Sequence, residues 1–155
     1  MKKPKLYVLV GVPGSGKSTW INNQTWADDC VVASTDAYVE SHAKALGKTY
    51  NEVFAAYMPT AIKQMTARVL DARKQNKDVI WDQTSTTVGS RAKKLRMLPN
   101  YYKIAVVFPT PDKVELQRRL GSRDGKSIPP NVMQSMISGL SIPTEAEGFD
   151  EIWYA

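Results

Sequence analysis

Five short apolar runs punctuate the chain: KLYVLV (5–10), VVAS (31–34), DVIWD (78–82), KIAVVFP (103–109) and EIWYA (151–155). They are rich in Val, Ile, Trp and Tyr and nearly continuous in apolarity. A strand with one wet face would alternate instead, so these runs predict a parallel sheet covered on both faces. Helical periods separate them. The segment TAIKQMTARVLDARKQN (60–76) places Ala61, Ile62, Met65, Val69 and Ala72 on one face and predicts a core-packed helix. Thr49 and Glu52 form a capping-box pair ahead of VFAAYM, and Gly47 can end the segment before it. Thr110 and Pro111 fit the N-cap and first position of a helix over KVELQRRL. Pro130 can open a further helix that stops near Gly139. Strand and helix alternate throughout, with no internal repeat and no low-complexity linker. The expectation is one α/β sandwich domain spanning residues 1–155.

Bulk properties narrow the class. A chain of 155 residues with 43% hydrophobic content suits a single globular core. Its longest apolar run is far too short to span a membrane, and MKKPK leads into a strand rather than a signal peptide. A cytoplasmic location is expected, the host cytoplasm for a phage-encoded chain. Cys30 stands alone, which excludes a disulfide framework and a cysteine metal site; its place before VVA suggests a small buried residue. The net charge of +6 is uneven: residues 1–85 carry +3, residues 86–126 carry +7 and residues 127–155 carry −4. A basic middle third suits a polyanionic partner, either nucleotide phosphates or a nucleic acid. A solvated basic surface is the plainer alternative.

Candidate chemistry begins at GVPGSGKST (11–19), directly after the first apolar run. Gly11, Gly16, Lys17 and Ser18 satisfy the GxxxxGK[ST] spacing of a phosphate loop. Glycines let the backbone curl so that N–H groups point inward at a polyphosphate. Gly11, Pro13, Gly14, Ser15, Gly16, Lys17, Ser18 and Thr19 are thus the expected nucleotide-binding residues. Lys17 would reach the β- and γ-phosphates, and the Ser18 hydroxyl would ligate Mg²⁺. An ordinary glycine-rich strand-to-helix turn is the alternative.

STDAYVE (34–40) follows the second apolar run, so Asp36 sits where the carboxyl edge of the sheet meets a helix. A carboxylate there can accept the proton of an attacking hydroxyl, or it can serve as a helix N-cap, a role open also to Ser34 or Thr35. Asp82 closes VIWD as the acid of a Walker-B strand does, which would organise Mg²⁺; surface acids also commonly end strands. Arg91 lies in the hydroxyl-rich stretch that follows. In RRLGSRDGKSIPP (118–130), Arg119 and Arg123 share a face if the helix persists, and the glycines loosen a segment able to close as a lid over the γ-phosphate. An exposed basic turn is the other reading. His42 is expected on a solvated helix face, and the four tryptophans are expected in the core.

Taken together, GVPGSGKSTW, STDAY, VIWDQT, RRLGSRDGKSIP and EGFDEIW resemble the 5′-kinase domain of phage-type polynucleotide kinases. More broadly they are similar to the P-loop kinases that include zeta-toxin-like enzymes, an AAA-type family. The resemblance implies a three-layer P-loop kinase sandwich with five parallel strands in the order 2-3-1-4-5. It implies ATP, or another nucleoside triphosphate, as donor with Mg²⁺, and a nucleic-acid 5′ end as partner, in nucleic acid repair. Lys17 and Ser18 would handle ATP and Mg²⁺, Asp36 would be the general base, and Asp82 the acid at the metal. Arg123 would be the lid arginine on the donor phosphates, with Arg119 at a neighbouring lid position. Members of the family carry an arginine three residues after the catalytic aspartate to hold an acceptor phosphate, and here that position is Val39. Lys44, Lys48, Arg91, Lys93 and Lys94 are the candidate replacements. A kinase of nucleosides, sugars or antibiotics is the alternative acceptor class, and a nucleotide-binding regulatory module the alternative of another kind. Oligomeric state is left open.

Overall fold

The computed structural model describes residues 2–123 and 125–155. Five strands, β1 (Lys5–Val10), β2 (Val31–Ala33), β3 (Val79–Trp81), β4 (Tyr102–Val107) and β5 (Glu151–Tyr154), form one sheet in the order β2-β3-β1-β4-β5. Every neighbouring pair is parallel, with Tyr7 opposite Ile80 on one side and Ile104 on the other. The strand order is the one that the sequence resemblance implies. Each strand is a residue or two shorter than its apolar run, apart from β1, which matches in full, and β4, which starts at Tyr102 and ends at Val107.

Both faces of the sheet are buried, which explains the unbroken apolarity of its strands. On one face Leu6, Val8 and Val10 pack with Met65, Val69 and Ala72 of α3 (Tyr50–Lys74) and Leu95 of α4 (Val88–Met97). On the other face Tyr7 and Leu9 meet Trp20 and Ile21 of α1 (Lys17–Asn22) and Trp26 of a 3₁₀ turn (Thr25–Asp29). Tyr7 stacks on Trp26 with ring centroids 4.5 Å apart, and Trp20 meets Phe108 edge-on at 5.9 Å. Of the four tryptophans expected in the core, Trp81 is buried, whereas Trp20, Trp26 and Trp153 are half-buried against the aromatic cluster.

Four sequence expectations need correction. The capping box and the following period belong to one helix: α3 runs 25 residues straight through Pro59. Pro59 lies on an exposed face, where water can satisfy the carbonyl whose intrahelical bond the ring removes. Ile62, placed on the core face by its spacing, is 46% exposed, so the buried stripe is narrower than predicted. Helix α5 (Lys113–Gly121) is capped by Asp112, whose side chain accepts the Glu115 N–H at 2.9 Å; Thr110 and Pro111 stay in the preceding loop. Cys30 is half-buried rather than enclosed. The predicted stops at Gly47 (φ 65°) and Gly139 and the start at Pro130 of α6 (Pro130–Gly139) hold, as does the Thr49–Glu52 capping box.

Helix α2 (Thr35–Leu46) leaves the carboxyl edge of β2 and packs against α3 through Val39, Ala43, Val53 and Ala61. Every strand therefore points its C-terminal end toward one rim, where the loops after β1, β2 and β3 converge. No helix among the described residues is long and apolar enough to cross a membrane.

Candidate active site

The loop after β1 turns sharply enough to need left-handed backbone at Gly14 (φ 82°) and Gly16 (φ 101°). Crowding adds a second constraint at Gly14: a Cβ there would sit 3.1 Å from Leu116 and 3.2 Å from Leu120 of α5. Gly11 has no room either, since a Cβ would meet Ser15 Oγ at 2.5 Å and Phe108 Cβ at 2.8 Å. Gly16 caps α1, whose first N–H groups lack intrahelical acceptors. Lys17 Nζ folds back on this loop and donates to the carbonyls of Gly11 and Val12, both at 2.9 Å. Burial lowers the Lys17 ammonium to about 8; Asp82 and Asp36 pull it upward and Arg123 lowers it further. Asp82 is itself raised by burial, an effect that Lys17 opposes and Asp36 reinforces. The two groups share one desolvated patch.

Asp36 lies in the first turn of α2, two residues past the N-cap position, which Ser34 occupies. Its carboxylate accepts the Tyr50 hydroxyl at 2.5 Å and lies 3.8 Å from Lys126 Nζ. It caps no backbone N–H. Burial and the bond to Asp36 raise the Tyr50 phenol well above its ordinary range, so it stays a donor at neutral pH. Lys126 also pairs with Glu40 and lies 4.6 Å from the Tyr50 ring centroid. Gln83 ties β3 to α2 by donating to Thr35 Oγ1 at 3.3 Å while accepting from Trp81 Nε1 at 3.0 Å.

Helix α5 brings the arginines. Arg119 donates from Nη1 to the Gly14 carbonyl at 2.9 Å and from Nε to Glu115 at 2.8 Å. The helix ends at Gly121, so Arg123 lies beyond it and does not continue the helical face of Arg119. Both arginines nevertheless line the same cleft. Asp124, within the expected lid, lies outside the described residues. Past it, Asn51 clasps Ser127: its Nδ2 donates to Ser127 Oγ at 2.6 Å, and its Oδ1 accepts the Ser127 N–H at 3.2 Å.

One cleft of about 1390 Å³ takes in Pro13, Gly14, Ser15, Gly16, Lys17, Ser18 and Thr19 together with Asp36, Asp82, Arg119 and Arg123. Gly11 stands just behind its wall, fully buried, with its N–H donating to Thr84 O at 2.9 Å. A drug-sized ligand fills ~300–1,000 Å³, so the cleft has space for a nucleotide and a second molecule. Ser18 and Asp82 present a hydroxyl and a carboxylate to it, the hard oxygen ligands Mg²⁺ prefers, with nucleotide phosphates to complete the set.

Two candidates for the acceptor-side cation leave the site. Arg91 is fully buried, bidentate to Glu147 at 2.8 and 3.1 Å, and bonded to the carbonyls of Ser85 and Ser141 and to Ser141 Oγ at 3.0 Å each. All of its N–H donors are spent inside the fold. Lys94 is buried over the Trp81 ring at 5.6 Å, with its ammonium lowered to about 8 by that burial. Neither Lys126 nor Tyr50 is singled out by the sequence, yet both meet Asp36 in the fold. Lys126 sits in the quoted lid motif, but only the fold carries it to Asp36, 90 positions away in sequence. His42, expected in solvent, stacks on Tyr57 with centroids 3.9 Å apart.

Residues 6–143 match the AAA_33 family, an AAA domain. A mouse (Mus musculus) relative, heterogeneous nuclear ribonucleoprotein U-like protein 2, is 24% identical over 162 residues, covering 97% of this chain and 21% of its own length. The chain thus spans about a fifth of that curated relative. Among solved structures, a candidate kinase from Chloroflexus aurantiacus superposes with a TM-score of 0.71 at 18% identity, covering 100% of this chain and 86% of its own. A chain of the Pnkp1/Rnl/Hen1 RNA repair complex follows with a TM-score of 0.68 at 25% identity, covering 90% of this chain and 45% of its own.

Proposed function

The chain belongs to the AAA_33 family and has a P-loop kinase fold, and from that premise we propose that it transfers the γ-phosphoryl group of ATP to the 5′-hydroxyl of a polynucleotide. The observation that carries this reading is the single cleft shared by the phosphate loop and the Asp36 carboxylate. A donor held at Lys17 and an acceptor hydroxyl held at Asp36 would meet without leaving it. In-line attack forms the bond from the 5′-oxygen to phosphorus, breaks the bond to the β-phosphate oxygen, and releases ADP. Asp36 takes the hydroxyl proton. Tyr50 aims that carboxylate until the acceptor hydroxyl takes over as donor. Lys17 and Arg123 spread positive charge over the transferring group, and Arg119 steadies the loop through the Gly14 carbonyl. Ser18 and Asp82 would hold Mg²⁺, which supplies charge neutralisation at the β- and γ-phosphates. Residues 118–130 would act as a lid on a single domain spanning residues 1–155, and closure would exclude water.

Nucleic acid is favoured as acceptor by the basic stretch of the chain and by the likeness to a chain of an RNA repair complex. An acceptor screen with ATP and Mg²⁺ fixed tests the reading. Single-stranded DNA and RNA carrying 5′-hydroxyl ends should be phosphorylated with kcat/KM at least tenfold above nucleosides and sugars. Turnover confined to small molecules would replace the acceptor class. Tight nucleotide binding with no transfer to any acceptor would point to a regulatory module.

A further inference from the structure

A second cavity, of about 410 Å³, adjoins the cleft on the side away from the phosphate loop. Tyr50 and Lys126 line both, so they form the wall between the two. Beyond that wall the second cavity is bordered by Lys44 and Lys48. Both lysines are exposed, and neither takes part in an ion pair among the described residues. The one carboxylate on the same border, Glu40, is already clasped by Lys126.

Helix α2 sets the spacing. Asp36, Glu40 and Lys44 fall at four-residue steps, so they lie along one face. Eight residues at 1.5 Å each put Lys44 about 12 Å along the axis from Asp36. Along this face the order from the attacking end is a carboxylate, a neutralised carboxylate, then the Lys44 ammonium, with Lys48 just past the Gly47 C-cap on the same cavity border. A compact acceptor seated at Asp36 does not extend that far, whereas a strand whose 5′ end lies at Asp36 carries further phosphates past it. Of the five cations that sequence analysis offers in place of the missing arginine, burial removes Arg91 and Lys94. Lys93 is exposed on α4, whereas Lys44 and Lys48 border a cavity that opens beside the proposed base.

We infer that Lys44 and Lys48 form a phosphate track for the second and later nucleotides of the acceptor strand, reached over the Tyr50–Lys126 wall. The inference rests on the polynucleotide reading above and adds where the strand runs. Specificity for a strand over a mononucleotide then comes from the track, while the reacting end is handled at Asp36. Phosphate contacts of this kind carry no base preference and weaken with salt.

The test compares wild type with the Lys44→Ala/Lys48→Ala double variant and with Lys93→Ala. The readouts are kcat/KM for a 12-nucleotide 5′-hydroxyl strand, the same quantity for a nucleoside 3′-monophosphate, and the salt dependence of the first. In the double variant the ratio of strand to mononucleotide should fall tenfold or more. The slope of log kcat/KM against log salt should flatten by about 1.4, at ~0.7 per lost single-strand contact. Lys93→Ala should keep the wild-type ratio. A double variant with the wild-type ratio and slope overturns the track, as does an equal loss in Lys93→Ala. Absence of strand phosphorylation by wild type overturns the polynucleotide reading and the track with it. Strand phosphorylation that is indifferent to both lysines overturns the track alone.

Discussion

Asp36 is open to two roles, proton acceptor or helix N-cap, and its observed partners argue against the N-cap. An N-capping carboxylate bonds backbone N–H groups of the next turn, but this one is met by a phenol and faces an ammonium. Asp36→Asn should therefore cost no more than about 1 kcal/mol in urea denaturation, chiefly through a lost first-turn charge. Phosphoryl transfer should nonetheless fall on the order of a hundredfold or more, because the amide takes no proton at neutral pH. Nucleotide affinity, read by fluorescence titration, should change little. Turnover within a few-fold of wild type would move the base to Asp82. Arg91 teaches the opposite lesson. Its sequence context of hydroxyls at a strand edge suits a phosphate ligand, yet the Glu147 fork and two serine residues absorb every donor.

Helix α5 carries two structural duties: Leu116 and Leu120 press against Gly14, and Arg119 bonds the Gly14 carbonyl. Its N-terminus is organised by Asp112 rather than by the Thr110–Pro111 pair that local preference favours. Asp112→Ala should cost about 1 kcal/mol by urea denaturation, whereas Thr110→Ala should stay within a few tenths. Equal losses would mean that the helix begins earlier in solution. In α3, by contrast, the local signals were right but read apart, because Pro59 stands between the capping box and the apolar stripe. The capping box, the apolar stripe at Ala61, Met65, Val69 and Ala72, and the basic last turn all agree with the observed helix. Ile62, at the margin of that stripe, is 46% exposed.

Across the molecule as a whole, two buried ammonium groups leave a signature in pH. Lys17 and Lys94 are both lowered from 10.5 to about 8 by burial. Between those values the unfolded chain binds more protons than the folded one, so stability rises with pH through the window that starts near 8. The Cys30 thiol, raised to about 11, opposes this from pH 9 upward, because the unfolded thiol ionises first. The free energy of unfolding in nucleotide-free buffer should thus increase by about 1–2 kcal/mol from pH 7.5 to 9. Lys94→Met should stabilise the protein at pH 7.5 and remove roughly half of the rise. A flat profile in wild type would show that both lysines are hydrated in solution.

The fold class was legible in the chain because buried strands and core-facing helices are strongly periodic, while the strand order followed from the family resemblance rather than from any local pattern. A buried strand must be apolar on both faces, and a loop that turns through positive φ favours glycine there, as at Gly14 and Gly16. Which cations face the cleft was not legible. Arg91, Lys94, Lys44 and Lys126 carry the same charge in sequence, and no local pattern distinguishes them. Burial against Glu147 withdraws the first, burial over Trp81 withdraws the second, and chain reversal brings Lys126 to Asp36. Desolvation and long-range pairing depend on what lies nearby in space, and that arises only when the sheet closes and the loops at its carboxyl edge converge.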